Sequence, residues 1–120
     1  MKSLVKVFKA LSDESRIRVL NLLLERECCV CEVMQALDIS QSKASRILSA
    51  LYDADIVELR RDGRWALYSI DRDGLGDYML NVIKAVAKAL EGNQTVSLDR
   101  ERLKKAERSG PGCAERIGKI

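Results

Sequence analysis

Apolar residues recur every three to four positions through the first half of the chain, which is the spacing of helices that bury one face. Polar and charged residues fill most positions between them. The pattern predicts four helices in succession, before the chain changes character near Ile56. Their predicted bounds are Lys2–Leu11, Asp13–Leu24, Val30–Leu37 and Gln41–Ala54.

Small polar residues mark where two of these helices begin. Ser12 is expected to cap the second helix, because Asp13 and Glu14 after it put negative charge in a first helical turn. Ser40 closes a tight turn and is expected to cap the fourth helix. The stretch Glu25–Cys29 is interpreted as a connector between the second and third helices.

After the fourth helix the pattern changes to that of strands. Residues Ile56–Arg61 and Trp65–Ile70 are rich in Val, Ile, Trp and Tyr, and the Asp62-Gly63 pair between them favours a hairpin turn. A hairpin that follows a helix-turn-helix is typical of a wing. The predicted fold class is therefore mainly α with a small β-hairpin, a winged helix-turn-helix.

The stretch Leu75–Leu90 has a strong helical stripe of apolar residues and ends at Glu91-Gly92-Asn93. The stripe is wider than the small core needs. We therefore expect this helix to pack with the first one against a second copy of the chain, rather than only to complete the core. The residues expected at this homodimer interface are Leu4, Phe8, Tyr78, Met79, Val82, Ile83, Val86 and Leu90.

The chain is expected to divide into a domain and a tail. Residues 1–92 are predicted to form the DNA-binding and dimerisation domain, and residues 93–120 a polar, basic tail that carries Cys113. One further polar helix is expected at Asp99–Arg108, before the Ser109–Gly112 stretch breaks it.

Net charge restricts how the chain could bind nucleic acid. The formal charge of the 120 residues is +3, and residues 93–120 carry seven Lys/Arg against four Asp/Glu. Residues 1–92 are thus balanced, so DNA binding must depend on local basic clusters and not on bulk charge.

Two such clusters lie at the start of the fourth helix and at the tip of the hairpin. Side chains there suit phosphates and base edges, although a solvated charged face is the usual fate of such residues. The residues expected to contact double-stranded operator DNA are Ser40, Gln41, Ser42, Lys43, Ser45, Arg46, Arg60, Arg61 and Arg64. A dimer would set its two reading helices roughly 34 Å apart on a palindromic site.

Nothing in the sequence predicts a membrane protein. No apolar run approaches the length needed to span a bilayer, and charge interrupts Met1–Lys6 too often for a signal peptide. A cytoplasmic location and no membrane partner are the expectation.

Three of the four cysteines fall in one short stretch, as Cys28, Cys29 and Cys31. Neighbours this close cannot staple distant parts of the chain, and in a reducing cytosol they are expected to be free thiols, reactive groups or metal ligands. The positive end of the third helix is expected to lower the pKa of these thiols and favour thiolate. An inert buried thiol is the alternative for any one of them.

Geometry limits how the cysteines could share a ligand. Residues two apart on a helix point in nearly opposite directions, so Cys29 and Cys31 cannot chelate one ion from an intact helix, whereas Cys28 and Cys31 are three apart and could. Either the cysteines precede the helix, or ligand binding unwinds its first turn. Unwinding would tilt the third helix and move Ser40–Arg46 away from the DNA groove.

Several stretches together resemble the ArsR/SmtB family of metal- and metalloid-responsive repressors, over about Phe8–Ile70. Phe8–Arg18 looks like the opening of the family's second helix, Ser40–Arg46 like its recognition helix, and Asp62–Tyr68 like its wing. Cys29-Val30-Cys31-Glu32-Val33 is similar to the Cys-Val-Cys-Asp-Leu box of the arsenic-sensing branch.

The resemblance implies a repressor that releases DNA when trivalent arsenic or antimony binds its cysteine thiolates. No organic cofactor is expected. Met34 stands where that branch often has a third cysteine, so the third thiolate would be Cys28 or Cys113. Cys113 is equally open to being a stray thiol. Soft sulfur ligands also suit cadmium, lead, cuprous copper and zinc.

Two alternatives keep the cysteines but change the chemistry. The first is a redox- or persulfide-sensing repressor of the same fold. The second is a thiol oxidoreductase, because Cys28 and Cys31 have the Cys-x-x-Cys spacing. The absence of histidine and of a βαβ setting speaks against the enzyme, and we expect none.

Overall fold

Four helices open the chain in the order that the hydrophobic pattern predicts. The computed structural model describes residues 1–108. The helices are α1 (Lys2–Ala10), α2 (Glu14–Glu25), α3 (Val30–Leu37) and α4 (Gln41–Asp53). The predicted bounds of α3 are confirmed. Those of α1 and α4 differ by one residue at the C-terminal end, and those of α2 by one residue at each end.

The caps of α2 and α4 show how local side chains set these bounds. Asp13, and not Ser12, caps α2, because its carboxylate accepts the N–H of Arg16 at 3.0 Å. The Ser12 hydroxyl instead donates to the carbonyl of Lys9 at the end of α1. Ser40 caps α4 as predicted, and its hydroxyl accepts the N–H of Lys43 at 3.2 Å.

The predicted hairpin is confirmed. Strands β1 (Val57–Asp62) and β2 (Trp65–Ile70) pair antiparallel, with Asp62 opposite Trp65 and Val57 opposite Ile70. Gly63 in the turn has φ +62°, a conformation that glycine adopts without strain. The order of α2, α3, α4 and hairpin is that of a winged helix-turn-helix.

Three helices follow the hairpin within residues 1–108. The helix predicted over Leu75–Leu90 is confirmed from Asp77 to Ala89, but Leu75 lies in a separate short helix. The structure has α5 (Arg72–Leu75) and α6 (Asp77–Ala89). Gly76, at φ +78°, separates them. Asp71 caps the short α5 by accepting the N–H of Gly74, so a turn interrupts the apolar stripe where the spacing alone shows continuity.

The predicted tail helix is longer and begins earlier than Asp99. Helix α7 spans Gln94–Lys105, and the Asn93 side chain caps it by accepting the N–H of Val96 at 3.1 Å. The helix packs against α2 and α3. Its inner face buries Val96, Asp99 and Leu103. The first part of the segment predicted as a polar tail is therefore packed on the domain.

The main core lies between α2, α4, α6 and the base of the hairpin. Its members are chiefly aliphatic, which agrees with the small aromatic content of the chain. The largest of its fully buried side chains include Leu20, Leu22, Leu48, Leu51, Ile56 and Ile83. No helix within residues 1–108 is long and apolar enough to cross a membrane.

A buried ion pair fixes α7 on α2. The Arg18 guanidinium donates two hydrogen bonds to the Asp99 carboxylate, at 2.9 and 2.8 Å, and Asp99 is only 1 % exposed. Asp99 also raises the pKa of Arg18, chiefly through these hydrogen bonds. Because removal of one partner leaves the other poorly solvated, this pair is expected to matter more than the exposed ion pairs.

We expect Asp99→Ala to lower the free energy of unfolding by about 2–3 kcal/mol. Glu101→Ala is the matched control on the same helix, because among residues 1–108 Glu101 has only the exposed Lys104 as an ion-pair partner. It should cost less than about 0.5 kcal/mol. Urea denaturation at fixed protein concentration, followed by circular dichroism, measures both. Equal losses would show that the buried pair does not hold α7.

Candidate functional site

The cysteine segment is held beside the wing by backbone pairing. The Cys28 N–H donates to the carbonyl of Tyr68 at 3.0 Å, and the Tyr68 N–H donates back to Cys28 at 2.8 Å. Cys28 is thus a one-residue strand along the outer edge of β2. The sequence predicted only a connector here, because a single bridge has no periodicity.

The two cysteines that follow lie at the start of α3. Cys29 is the N-cap, with extended backbone angles of φ −90° and ψ 170°, and Cys31 lies in the first turn. Their Sγ atoms are 3.3 Å apart. Of the two arrangements that the sequence allowed, the structure has Cys29 outside the helix. The two sulfur atoms therefore meet without any unwinding of α3.

This sulfur pair, Cys29 and Cys31, has its own small apolar cluster. Leu67 of β2 is buried against it, and Trp65 and Met34 complete the cluster. Cys28 instead belongs to the main core, where its thiol lies 3.6 Å from the carbonyl of Arg26. The three neighbouring cysteines are thus divided between two environments.

A buried carboxylate lies next to the sulfur pair. Glu32, 2 % exposed, accepts the N–H of Cys29 at 2.9 Å, the guanidinium of Arg26 at 2.5 Å and the Nε of Arg108 at 3.1 Å. Burial alone would raise the pKa of Glu32, but the Cys29 N–H and the two guanidinium groups together lower it. The carboxylate is therefore ionised and shared between α2, α3 and the end of α7.

The chain after α7 also runs past the sulfur pair. The side-chain amide of Gln35 makes two hydrogen bonds with the backbone of Glu107, at 3.2 and 3.0 Å. The carbonyl oxygen of Glu107 is 4.0 Å from the Sγ of Cys31. Arg26 adds a bond to the carbonyl of Leu103 at 3.2 Å. The end of α7 is thereby fixed against α3.

The expectation that the helix would lower the thiol pKa values is wrong for two of the cysteines. Burial raises the pKa of Cys28 to about 12, and the negative charge of Glu32 adds to the rise. Burial likewise raises the pKa of Cys29. Desolvation of a thiolate outweighs the attraction of one helix end, because both cysteines are completely buried.

The structure brings Cys29 and Cys31 together and leaves Cys28, one of the two candidates for a third sulfur, in the main core. Within residues 1–108, no set of three or more cysteine, histidine, aspartate or glutamate side chains is arranged to hold a metal ion. Cys113 lies outside the described residues. The chemistry of the described donors fits a soft ion at Cys29 and Cys31.

The residues predicted to contact DNA lie on two exposed surfaces. Lys43 and Arg46 are exposed at the start of α4, as are Arg61 and Arg64 at the hairpin tip. Arg60 is exposed too, but its Nε and one of its two terminal guanidinium nitrogens donate to the carboxylate of Glu27. Ser40 and Ser42 are exposed and Gln41 and Ser45 half-buried.

The residues predicted for a dimer interface divide into three groups. Phe8 and Tyr78 are 51 % and 65 % exposed, as expected of surface that a second chain could cover. Met79 and Ile83 are buried inside the described chain, which leaves them little surface for a partner. The half-buried group is Leu4, Val82, Val86 and Leu90.

Comparison with known proteins identifies the family. A family model described as "Bacterial regulatory protein, arsR family" matches residues 13–58. The arsenic resistance transcriptional regulator ArsR1 of Pseudomonas putida is 46 % identical over 65 residues, 53 % of this chain and 51 % of that protein. The arsenical resistance operon repressor of Staphylococcus aureus is 33 % identical over 81 residues, 68 % of this chain and 78 % of that repressor.

The chain belongs to the arsR family. It spans about half the length of the Pseudomonas relative. A solution structure from Mycobacterium bovis, described as a homodimeric winged helix-turn-helix DNA-binding domain and a possible ArsR-family regulator, matches with TM-score 0.65 and 26 % identity. That match covers 78 % of this chain and 82 % of the other. The predicted family and fold are confirmed, and these relatives are regulators, which agrees with the expectation of no enzyme.

Sequence reasoning missed the residues that hold the site of this arsR-family member together. Glu32 was noticed only as part of the cysteine box, although Cys29-x-x-Glu32 has the spacing of a capping box with cysteine in place of serine. That pattern was the available signal for Glu32. Arg26, Gln35 and Arg108 carry no signal of their own, because their partners lie on other helices.

The raised pKa values predict slow thiol chemistry at neutral pH. We expect the rate of iodoacetamide alkylation of Cys28, in native and reduced protein, to rise with pH without levelling below about pH 11, since only thiolate reacts. In urea the same rate should level off above the ordinary value of about 8.5. Mass spectrometry of each cysteine peptide measures this. Alkylation of native Cys28 at the unfolded rate near pH 7 would contradict it.

Proposed function

We propose that this chain is a homodimeric transcriptional repressor that binds trivalent arsenic or antimony through cysteine sulfurs and then releases operator DNA. The observation that carries the proposal is the sulfur pair, with Cys29 Sγ and Cys31 Sγ 3.3 Å apart at the start of α3. The names of the Pseudomonas and Staphylococcus relatives refer to arsenic and arsenical resistance, which supports the choice of ligand.

The spacing of the two sulfurs favours a pyramidal ligand. Two sulfurs 3.3 Å apart subtend roughly 90° at an ion about 2.3 Å from each, the length of a Zn–S bond. Tetrahedral zinc would separate its sulfurs by roughly 3.8 Å. A three-coordinate centre with a lone pair, such as trivalent arsenic or antimony, has angles near 90° and suits the observed spacing better.

The DNA surface of the proposal is the start of α4 together with the hairpin tip. Lys43 and Arg46 on α4 are exposed and carry no side-chain ion pair among residues 1–108. Arg61 and Arg64 extend the positive surface along the wing. Arginine and lysine at these places suit phosphates, and the polar side chains of Ser42 and Gln41 suit base edges.

Dimerisation is proposed through α1 and α6, whose outer faces leave Phe8 and Tyr78 exposed. The M. bovis domain with the same fold is homodimeric, which supports this. Two copies would present two α4 helices to one face of a palindromic site.

We propose that the wing carries the signal from the sulfur pair to DNA. Leu67 and Trp65 of β2 pack on the pair, Cys28 pairs with Tyr68 through its backbone, and Glu27 pairs with Arg60. A ligand bound to Cys29 and Cys31 would therefore displace the side chains that pack on the sulfur pair and strain β2 directly. Unwinding of α3 is not needed, because the sulfurs already meet beside the intact helix.

Cys113 is proposed as the third sulfur ligand, in preference to Cys28. The Glu107 carbonyl lies 4.0 Å from Cys31 Sγ, and Cys113 follows Glu107 by six residues, a stretch that can reach roughly 20 Å. Cys28 would have to leave the main core, where it is completely buried. The end of α7 thus supports a donor that comes from the C-terminal segment.

We expect stoichiometric arsenite to release reduced protein from a palindromic promoter fragment, because ligand at the sulfur pair strains the wing. Cys29→Ser/Cys31→Ser should bind the same DNA and ignore arsenite. Fluorescence anisotropy at fixed salt measures both, since affinity depends on salt. Arg46→Glu, expected to lose specific binding, is the control for use of α4.

Two results of this experiment would count against the proposal. Tight DNA binding that ignores arsenite in the wild type would remove trivalent arsenic as the ligand. Release by peroxide or polysulfide alone, in the absence of arsenite, would favour the redox- or persulfide-sensing alternative.

We expect Cys113→Ser to weaken arsenite binding roughly tenfold or more, because a third thiolate is lost. Cys28→Ala should leave the affinity near that of the wild type. Isothermal titration calorimetry of the reduced proteins measures both. The reverse order of effects would assign the third sulfur to Cys28 and require its segment to leave the core.

A further inference from the structure

We infer that Glu32 is the positioning residue of the sulfur pair, and that its hydrogen bond to the Cys29 N–H is what makes the two sulfurs converge. The inference rests on the proposed ligand site and concerns a residue that would not touch the ligand. It assigns to a buried carboxylate a role separate from its ion pairs.

The first step is the backbone conformation of Cys29. Side chains two apart within a helix diverge, and Cys29 escapes this only because it is the N-cap, with extended angles. If α3 began one turn earlier, Cys29 would be helical and its sulfur would point away from that of Cys31. The 3.3 Å separation therefore requires that the helix start at Val30.

A capping box fixes the start of α3 at Val30. Glu32 Oε1 accepts the Cys29 N–H at 2.9 Å, and the Glu32 N–H faces the Cys29 sulfur. This is a reciprocal capping box in which cysteine takes the place of serine or threonine. The same side chain thus binds the N-cap backbone, while its own backbone orients the N-cap sulfur.

The capping hydrogen bond and the ion pair with Arg26 use different oxygens of Glu32. Among residues 1–108, two donors converge on Glu32 Oε1, the Cys29 N–H and the Nε of Arg108, whereas Arg26 is the one donor to Oε2. In the Glu32→Gln variant, the amide oxygen accepts from two donors if it takes the position of Oε1 but from one if it takes that of Oε2, so we expect it at Oε1. Glutamine also occurs at this position of capping boxes. Glu32→Gln therefore keeps the cap and loses the charge.

The test compares three variants with the full-length reduced wild type. Glu32→Ala removes both cap and charge, Glu32→Gln removes the charge, and Arg26→Met removes one ion pair while leaving Oε1 untouched. The probe is phenylarsine oxide, which takes two thiolates and so reports the sulfur pair without a third ligand. Titration calorimetry gives the affinity, and the fluorescence of Trp65, the single tryptophan, reports binding beside the pair.

We expect Glu32→Ala to bind phenylarsine oxide roughly tenfold more weakly, with Glu32→Gln and Arg26→Met close to the wild type. All three should unfold at lower urea concentrations, because each loses an ion pair. Equal weakening in all three would show that Glu32 acts only through its charge, and unchanged binding in Glu32→Ala would show no positioning role. Either result overturns the inference.

Amide exchange at Cys29 keeps this test separate from the proposed function. If Glu32 holds the N-cap, the Cys29 amide exchanges faster in Glu32→Ala than in Glu32→Gln, whether or not an arsenical binds. If the exchange difference is present but phenylarsine oxide does not bind the wild type, the proposed ligand site is wrong and the capping role of Glu32 stands. Equal exchange in both variants would overturn the cap itself.

Discussion

The arrangement of the cysteine region depends on the hydrogen bonds and ion pairs that the ionised carboxylate of Glu32 accepts. A buried carboxylate is unfavourable unless every oxygen has a donor nearby. Here the donors come from Arg26 at the end of α2, from the backbone of Cys29, and from Arg108 after α7. Three separate elements must therefore come together at one point, and the start of α3 is fixed as a consequence.

That point is also where the sulfur pair meets the wing. Leu67 and Trp65 pack on Cys29 and Cys31, and the backbone of Cys28 pairs with Tyr68. The cysteines thus directly contact the hairpin that carries the exposed arginines. A soft ligand bound here would act on the wing through direct packing, over a shorter path than through α3 into α4.

Burial has two opposite effects on the thiols: it disfavours their ionisation, and it holds their sulfur atoms in place. Complete burial raises the pKa of Cys28 and Cys29, which opposes the thiolate that a soft ligand needs. A ligand must displace these protons, so its affinity is expected to depend on pH. In return, burial keeps the sulfurs of Cys29 and Cys31 in fixed positions 3.3 Å apart and keeps Cys28 in the main core, away from them.

The sequence by itself determined the helices α1 to α4, the hairpin and the positions of the exposed basic residues. These follow from local causes: apolar spacing, caps such as Ser40, and the Asp62-Gly63 turn. It also predicted the family and made Cys29 and Cys31 the candidate ligands, because the cysteine box is contiguous. The sequence also predicted most of α6, but it placed Leu75 in that helix because the apolar stripe continues across Gly76.

Only the tertiary structure decided what surrounds the cysteines. Cys28 faces the main core while its neighbour faces Cys31, and this division depends on a single bridge to Tyr68. The docking of α7 depends on Arg18 with Asp99, which are far apart along the chain. Such partners come into contact only when the chain folds. No periodicity within either segment indicates them. The chain therefore determines its elements locally, and contacts between the elements determine the surroundings of its cysteines.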